Sequence, residues 1–294
     1  MAIGVVFAII LNLRFEKDAQ EEQSTVTKEK RNNMKKELDC LRSIIADCDQ
    51  KITEALKTRM ECIEGIIAYK KENGLPVLQP EQENKQLAQV AKNVAGTVFE
   101  EEILHIFRDI IENSKRIQAK TLFDKNILLI GFMGAGKSTV SAKLSELLAM
   151  EIMEMDAHIQ QKEGMTIKEI FAVHGEEYFR NCESNTLIEL KERKHMVVSC
   201  GGGVPLREKN VELMKNSGYV VWLTATPEAI YDRVKDSTER PLLNGNMNIP
   251  FIENLMESRR EKYERAADIM VDTTGKEPQA ICEELLQKLS ALRR

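Results

Sequence analysis

Near the middle of the chain, four residues have the spacing of a phosphate-binding loop. Gly131, Gly136, Lys137 and Ser138 fit G-x-x-x-x-G-K-[ST], a loop whose backbone N–H groups surround a phosphate that the glycines leave room for. The apolar run Ile127–Ile130 before it predicts a buried strand, and the residues after it predict a helix whose N-terminus favours an anion. We therefore expect a nucleoside triphosphate to bind here. The predicted contact residues are Gly131, Gly134, Ala135, Gly136, Lys137, Ser138 and Thr139.

Two acidic residues stand at the end of the next predicted strand. Glu151–Asp156 reads as a short strand, and Glu154 and Asp156 alternate along it, so both would point to one side. One carboxylate can orient a Mg²⁺-bound water, and the other can take a proton from a hydroxyl. We predict Ser138 and Glu154 as the metal-binding residues. Alone, the pair would read as a solvated acidic turn.

The rest of the C-terminal half of the chain supplies the strands and helices that would position these residues. Strands alternate with helices throughout, which predicts a parallel sheet covered on both faces. Ligands of such sheets bind at the carboxyl ends of the strands. There the glycines Gly201–Gly203 let a small polar ligand approach the backbone, Arg180 and Arg259 stand on predicted helices, and Arg240 opens a polar loop suited to a mobile lid.

In this order and spacing, these features resemble the shikimate kinase family over residues 125–289. The resemblance implies ATP and Mg²⁺ as cofactors and transfer of the γ-phosphate to shikimate, giving shikimate 3-phosphate. It implies that Asp156 holds the reacting hydroxyl and that Gly202 contacts the substrate through its backbone. Arg180 and Arg259 would clamp the substrate carboxylate, because two guanidinium forks give orientation as well as charge.

The resemblance to shikimate kinase also implies roles for the remaining charged residues. Lys137 and Arg240 would stabilise charge on the transferring phosphoryl group, and Arg233 would flank the adenine. Glu183 would orient Arg180 through a salt bridge. Glu154 stands where the family usually has aspartate, so the charge is kept on a side chain that is one carbon longer.

The N-terminal part is organised differently. From Met34, apolar residues recur at steps of three and four until the break at Asn73–Pro76, which predicts one long helix that needs a partner along its length. Arg59 and Lys70 lie on the apolar stripe about three turns apart, where an unpaired cation would be costly. They either pair with carboxylates or line a cavity for an anion. Two shorter helices are predicted at about 80–93 and 97–121.

This segment, about Met34–Gln118, resembles the all-helical (AroQ-type) chorismate mutase family. The resemblance rests on these features: Leu41-Arg42-x-x-Ile45 with Asp49, then Arg59, Lys70, Pro76-Val77, Pro80-Glu81, Glu83 and Ser114-x-x-x-Gln118. It implies rearrangement of chorismate to prephenate in an intertwined dimer, without cofactor or nucleophile. Catalysis would come from holding one conformer and placing cations near the ether oxygen.

Carried over residue by residue, Arg42 would cross from the partner subunit and Arg59 would clamp a carboxylate. Lys70 and Gln118 would contact the ether oxygen. Glu83 and Ser114 would hold the ring hydroxyl and the groups beside it.

The mutase resemblance has two departures. Gln79 and Gln82 stand where the family usually has aspartate and arginine, so hydrogen bonding is kept and charge is lost. Two alternatives follow: a mutase with weakened activity, or a regulatory relic of a mutase that binds an aromatic metabolite.

Composition and length argue against several other classes of protein. The 294 residues suffice for two domains, and a net charge of −5 gives no broad basic surface for nucleic acid. The apolar run at residues 2–13 is too short for a membrane span. Six cysteines without a C-x-x-C pair indicate reduced thiols, and we expect a cytoplasmic homodimer.

We divide the chain into residues 1–33, a disordered or mis-extended segment with Met34 as a candidate natural start; 34–121, a helical mutase-like domain; and 122–294, a P-loop kinase-like domain. The leading hypothesis is a bifunctional enzyme of aromatic amino-acid biosynthesis. One alternative is a shikimate kinase with a non-catalytic helical module for binding or dimerisation. Another is a different small-metabolite P-loop kinase, such as a gluconate or nucleotide kinase.

Overall fold

The computed structural model describes residues 2–73, 80–235 and 248–292, and it describes only the backbone of residues 2–31, 71, 80 and 81. Packing divides the chain into two compact units, residues 1–62 and residues 63–294. The domain boundaries at 33/34 and 121/122 stay predictions. Within the described residues, no helix is long and apolar enough to cross a membrane.

The first unit lies on one long helix, α1 (Ala2–Glu72), which continues into the second unit. Its backbone is helical from Ala2, whereas the sequence suggested disorder or fraying before Met34. From Met34 onward the apolar side chains at helical spacing face solvent, with Leu41, Ile45 and Ile52 more than half exposed. A single helix with an exposed apolar stripe buries little of its own surface.

The second unit begins with two helices that follow the predicted positions closely, α2 (Pro80–Val94) and α3 (Glu100–Leu122). Near the end of α1, Ile63 and Ile67 are buried. They belong to the same apolar cluster as Leu122 and Phe123 at the end of α3. The predicted turn at residues 74–79, including Pro76, Val77 and Gln79, lies outside the described residues.

The remainder of the second unit is an α/β fold. Among the described residues, its sheet has five parallel strands in the order β2-β3-β1-β4-β5. The strands are β1 (Asn126–Ile130), β2 (Glu151–Glu154), β3 (Met196–Ser199), β4 (Gly218–Thr224) and β5 (Ile269–Asp272). The helices between them are α4 (Lys137–Leu148), α5 (Met155–Glu163), α6 (Ile167–Leu190), α7 (Glu208–Ser217), α8 (Pro227–Val234) and α9 (Ile249–Ala266), and α10 (Pro278–Leu292) follows β5.

Alternating strand side chains fill two apolar layers, one on each face of the sheet. Ile127 and Leu129 of β1 join the layer that contains α4 and α10, whereas Leu128 and Ile130 join the layer that contains α5, α6 and α7. This confirms the prediction of a parallel sheet covered on both faces. All five strands therefore present their carboxyl ends at one edge.

At the opposite end of the strands, the Asn126 side chain joins three segments. It is fully buried, and its amide donates to the carbonyls of Arg193 at 2.8 Å and Ser217 at 3.0 Å. Its oxygen accepts from the backbone N–H of Met196 at 3.1 Å. The Asn126 side chain, at the start of β1, thus bonds to backbone groups just before or at the starts of β3 and β4.

We predict that Asn126→Ala lowers the free energy of unfolding by about 2–4 kcal/mol, because three buried backbone groups lose their partner. Denaturant unfolding followed by far-UV circular dichroism measures this change. Asn113→Ala is the matched control, since Asn113 is exposed and makes one bond to the Asp109 carbonyl within α3. Equal stability of the two variants would contradict the role of Asn126.

Candidate functional site

The loop between β1 and α4 has the geometry of a phosphate cradle. Gly134 and Gly136 have positive φ angles of 76° and 89°, which glycine adopts without strain. A Cβ on Gly131 would lie 2.4 Å from the Leu223 carbonyl oxygen, so only glycine fits there. The Lys137 ammonium donates to the carbonyls of Gly131 at 3.0 Å and Phe132 at 3.1 Å. It is thus held over the loop at the N-terminus of α4, where an anion is favoured.

Glu154 lies beside this helix, in contact with the predicted metal-binding serine. Its carboxylate accepts from the Ser138 hydroxyl at 2.9 Å and from the Ser141 hydroxyl at 2.6 Å. A hydroxyl and a carboxylate side by side are oxygen ligands of the kind that Mg²⁺ takes, together with waters and phosphate oxygens. The described residues contain no cluster of three or more ionisable metal ligands. The donor set therefore fits a metal held partly by a nucleotide.

Asp156 differs from the prediction in its local structure. The strand ends at Glu154, and Asp156 lies in the first turn of α5 rather than on an extended chain. The helix N-terminus accounts for this, because its unpaired N–H groups favour a carboxylate in the first turn. Asp156 is exposed at the strand edge, and its Oδ1 lies close to the backbone of Gly201.

The glycines Gly201–Gly203 after β3 lie against three charged side chains. A Cβ on Gly201 would be 2.9 Å from both Asp156 Oδ1 and Glu183 Oε1. A Cβ on Gly203 would be 2.1 Å from Arg180 Nη1. Absence of side chains is therefore what allows these groups to converge on one turn of backbone.

Arg180 is held by two carboxylates on α6. Its Nη1 donates to both oxygens of the fully buried Glu183 at 3.0 and 3.1 Å, and its Nη2 donates to Glu176 at 2.8 Å. The predicted Arg180–Glu183 ion pair is thus present. Burial raises the pKa of Glu183 to about 7, although the Arg180 guanidinium opposes the rise. A break at Gly175, with φ 83° and ψ 171°, interrupts α6 just before this segment and supports the predicted helix start near Arg180.

The other predicted carboxylate clamp, Arg259, lies on α9. Its guanidinium carbon is 5.7 Å from the ring centroid of Phe132, a residue of the phosphate loop, in a cation–π contact. Arg259 therefore lies next to the loop that would hold the nucleotide. Arg240 and the predicted lid lie outside the described residues.

Arg233 lies under the phosphate loop on α8. Its Nη1 donates to the Gly134 carbonyl at 3.0 Å and to the Thr273 hydroxyl at 3.0 Å, and its Nη2 donates to the Thr273 carbonyl at 2.8 Å. Thr273 is buried and lies within hydrogen-bond distance of the Ala135 carbonyl at 3.1 Å. Sequence reasoning missed Thr273. Its place directly after the last strand was the available signal, since strand ends meet at this edge.

The residues that the resemblance assigns to the mutase reaction lie in both units. In the first unit, Arg42 is mostly exposed and pairs with Asp39 at 3.3 Å, and partial burial lowers the pKa of the Arg59 guanidinium. In the second unit, partial burial lowers the pKa of the Lys70 ammonium, and Glu83 pairs with Lys115 at 2.7 Å.

Two further residues of this group stand on α3. Ser114 is buried, and its hydroxyl donates to the Ile110 carbonyl at 2.7 Å. Gln118, one turn later, is half-buried. Gln82 on α2 is exposed. All of these assigned roles stay predictions.

The fold and the site define a P-loop kinase, with a phosphate cradle near a glycine turn on which Arg180, Asp156 and Glu183 converge. Comparisons with known proteins place it more narrowly. Residues 133–290 match the family model for shikimate kinase, and residues 41–119 match the model for chorismate mutase type II. The chain belongs to the shikimate kinase family and carries a chorismate mutase type II domain ahead of the kinase.

Individual relatives support the match to shikimate kinase. A shikimate kinase of Dehalococcoides mccartyi is 42% identical over 164 residues, which is 56% of this chain and 93% of the relative. One from a Sulfurihydrogenibium species is 43% identical over 165 residues, covering 56% of this chain and 98% of the relative. The solved shikimate kinase of Acinetobacter baumannii in complex with shikimate superposes with a TM-score of 0.56 at 34% identity, covering 60% of this chain and 98% of that one.

We predict that Thr273→Val raises the KM for ATP by roughly three- to tenfold, because a buried hydroxyl that holds Arg233 and the phosphate loop is lost in an almost isosteric change. Initial-rate kinetics with each substrate varied in turn provide the measurement. Thr274→Val is the control, as the neighbouring hydroxyl donates to Asp272 and accepts from the backbone N–H of Thr226, both outside the loop. A rise in the shikimate KM instead would contradict this assignment.

Proposed function

We propose that the chain is a bifunctional enzyme of aromatic amino-acid biosynthesis, which phosphorylates shikimate to shikimate 3-phosphate with ATP and rearranges chorismate to prephenate. The single observation that supports the kinase most strongly is the convergence of Asp156, Arg180 and the glycines Gly201–Gly203 beside the phosphate loop. Both family matches support the pairing of the two activities.

In the kinase, Asp156 accepts the proton of the reacting shikimate hydroxyl. The hydroxyl oxygen then bonds to the γ-phosphorus as the bond to ADP breaks. Lys137 turns from its two carbonyl partners to the phosphates, and the charge of Arg240 also stabilises the transferring phosphoryl group. Ser138 would hold Mg²⁺ directly and Glu154 would hold it through a water, and the ion would supply positive charge near the phosphate oxygens. Glu154 reaches Ser138 at 2.9 Å, so the longer acid is compatible with this role.

Substrate specificity rests on the carboxylate. Arg180 enters the site already oriented by Glu183 and Glu176, which lowers the cost of ordering it on binding. Arg259 approaches from the phosphate-loop side. Gly202 supplies a backbone contact, and Arg233 flanks the adenine. A carboxylate clamp disfavours a nucleotide kinase, and phosphorylation of gluconate but not shikimate would favour the gluconate kinase alternative.

In the mutase, the residues act by position and charge alone. Arg59 binds a chorismate carboxylate, Lys70 and Gln118 contact the ether oxygen, and Glu83 and Ser114 hold the ring hydroxyl and its neighbours. Partial burial favours such a role for Arg59 and Lys70, because less solvated cations interact more strongly with an anion. The alternative, a helical module that only binds or dimerises, predicts no prephenate.

We also propose a homodimer formed through α1. The exposed apolar stripe from Met34 to Ile52 is longer than isolated surface residues explain, and a second copy would cover it. Arg42, which is mostly exposed here, would be the residue that each subunit supplies to its partner's mutase site.

We expect Asp156→Asn and Arg59→Ala in the full chain to separate the activities. Asp156→Asn should lower shikimate phosphorylation by roughly 10²–10⁴-fold and leave prephenate formation unchanged, because only the proton acceptor is lost. Arg59→Ala should abolish prephenate formation and leave phosphorylation unchanged. A coupled ADP assay and direct detection of prephenate measure the two rates. If wild-type protein forms no prephenate, the helical segment is a binding module.

Ile45→Glu combined with Ile52→Glu should convert the dimer to a monomer, because two charges would be buried on the stripe. Sedimentation equilibrium should give twice the 33.5 kDa chain mass for wild type and the chain mass for the variant. Lys51→Gln combined with Lys57→Gln, also on α1 and exposed, changes the net charge by the same amount and is the charge-matched control. A monomeric wild-type protein would refute the dimer.

A further inference from the structure

Tyr263 of α9 connects to the glycine turn of the kinase site, a feature that none of the assigned roles uses. Its side chain is buried, with 2% exposed, and its hydroxyl donates to the Gly202 carbonyl at 2.6 Å. Tyr263 belongs to the Arg259-x-x-x-Tyr263 motif, so the two side chains lie one helical turn apart on the same face.

The ring of Tyr263 is fixed from the other side by β4. It stacks on Trp222 with the centroids 5.7 Å apart and the planes 13° from parallel. Burial raises the pKa of the Tyr263 phenol, and the neighbouring Arg259 opposes the rise. The phenol is therefore protonated at neutral pH and acts as the hydrogen-bond donor to Gly202.

The hydrogen bond from Tyr263 matters because the backbone of the glycine turn can adopt many conformations. Three successive glycines have the widest choice of backbone angles, and each loses more entropy on ordering than other residues. The other groups at this turn, Arg180, Asp156 and Glu183, approach Gly201 and Gly203. The Tyr263 hydroxyl is the contact that holds the carbonyl of Gly202, and it comes from the helix that carries Arg259.

We propose that Tyr263 is a positioning residue for the substrate carboxylate, which holds the Gly202 backbone and Arg259 in one fixed arrangement. The inference rests on the proposed shikimate kinase activity. It assigns Tyr263 no contact with the reacting atoms, so its removal should affect binding of one substrate rather than the chemical step.

Tyr263→Phe removes only the hydroxyl and keeps the stack on Trp222. We expect the KM for shikimate to rise roughly three- to tenfold, the loss of one buried hydrogen bond, with kcat and the KM for ATP within twofold of wild type. Tyr219→Phe is the matched control, since its hydroxyl donates to Asp124 at 2.9 Å away from the site, and it should behave as wild type.

A second measurement tests whether the effect passes through the carboxylate. With the methyl ester of shikimate as substrate, the charge that Arg259 and Gly202 would hold is absent. The ratio of kcat/KM between wild type and Tyr263→Phe should therefore fall towards one. An equal ratio for acid and ester, or equal losses for shikimate and ATP with a lower melting temperature, would show a merely structural role and overturn the inference.

Trp222→Leu keeps the test decisive if Tyr263→Phe does not fold, because it removes the aromatic stack that fixes the Tyr263 ring and leaves the hydroxyl in place. It should raise the KM for shikimate and not that for ATP, and unchanged shikimate kinetics would count against the inference. If wild-type protein does not phosphorylate shikimate at all, the proposed function fails and not this inference alone.

Discussion

The kinase site depends on close approach between charged side chains and bare backbone at the end of β3. Arg180 lies where a Cβ of Gly203 would be, and Asp156 and Glu183 lie where a Cβ of Gly201 would be. Any side chain at these positions would push apart an arginine and two acids that come from different helices. Packing at these glycines therefore sets the distances between the charges, and the electrostatics of the site follow from it.

Burial of Glu183 beside these groups has a cost that its partners offset. A fully buried carboxylate is unfavourable unless it is paired and hydrogen-bonded, and Arg180 provides both, because its Nη1 donates to both oxygens of Glu183. The remaining tendency to hold a proton, a pKa of about 7, comes from desolvation first and from Asp156 among the smaller causes. The pair thus fixes the position of the Arg180 guanidinium beside the glycine turn.

Much of the fold could be predicted because its signals are local. The apolar run of β1, the glycine-rich loop and the alternation of strands and helices each depend on a few neighbouring residues, and the parallel sheet follows from them. The bonds of Thr273, Asn126 and Tyr263 could not be predicted, since each joins segments far apart in the chain. Asp156 was placed on a strand because its neighbours alternate, whereas the start of α5 decides its conformation.

The burial of Ile63 and Ile67 in the same apolar cluster as Leu122, Phe123 and the phosphate-loop helix residue Leu144 has a consequence for how such a chain can be divided. The Dehalococcoides mccartyi relative aligns over 93% of its own length with 164 residues of this chain. A fragment of this chain that began at residue 122 would lose Ile63 and Ile67 and expose the apolar side chains that they cover. The end of α1 and the kinase fold are therefore joined by shared core packing as well as by the linker. Separating the two enzymes would require replacing the exposed apolar side chains with polar ones.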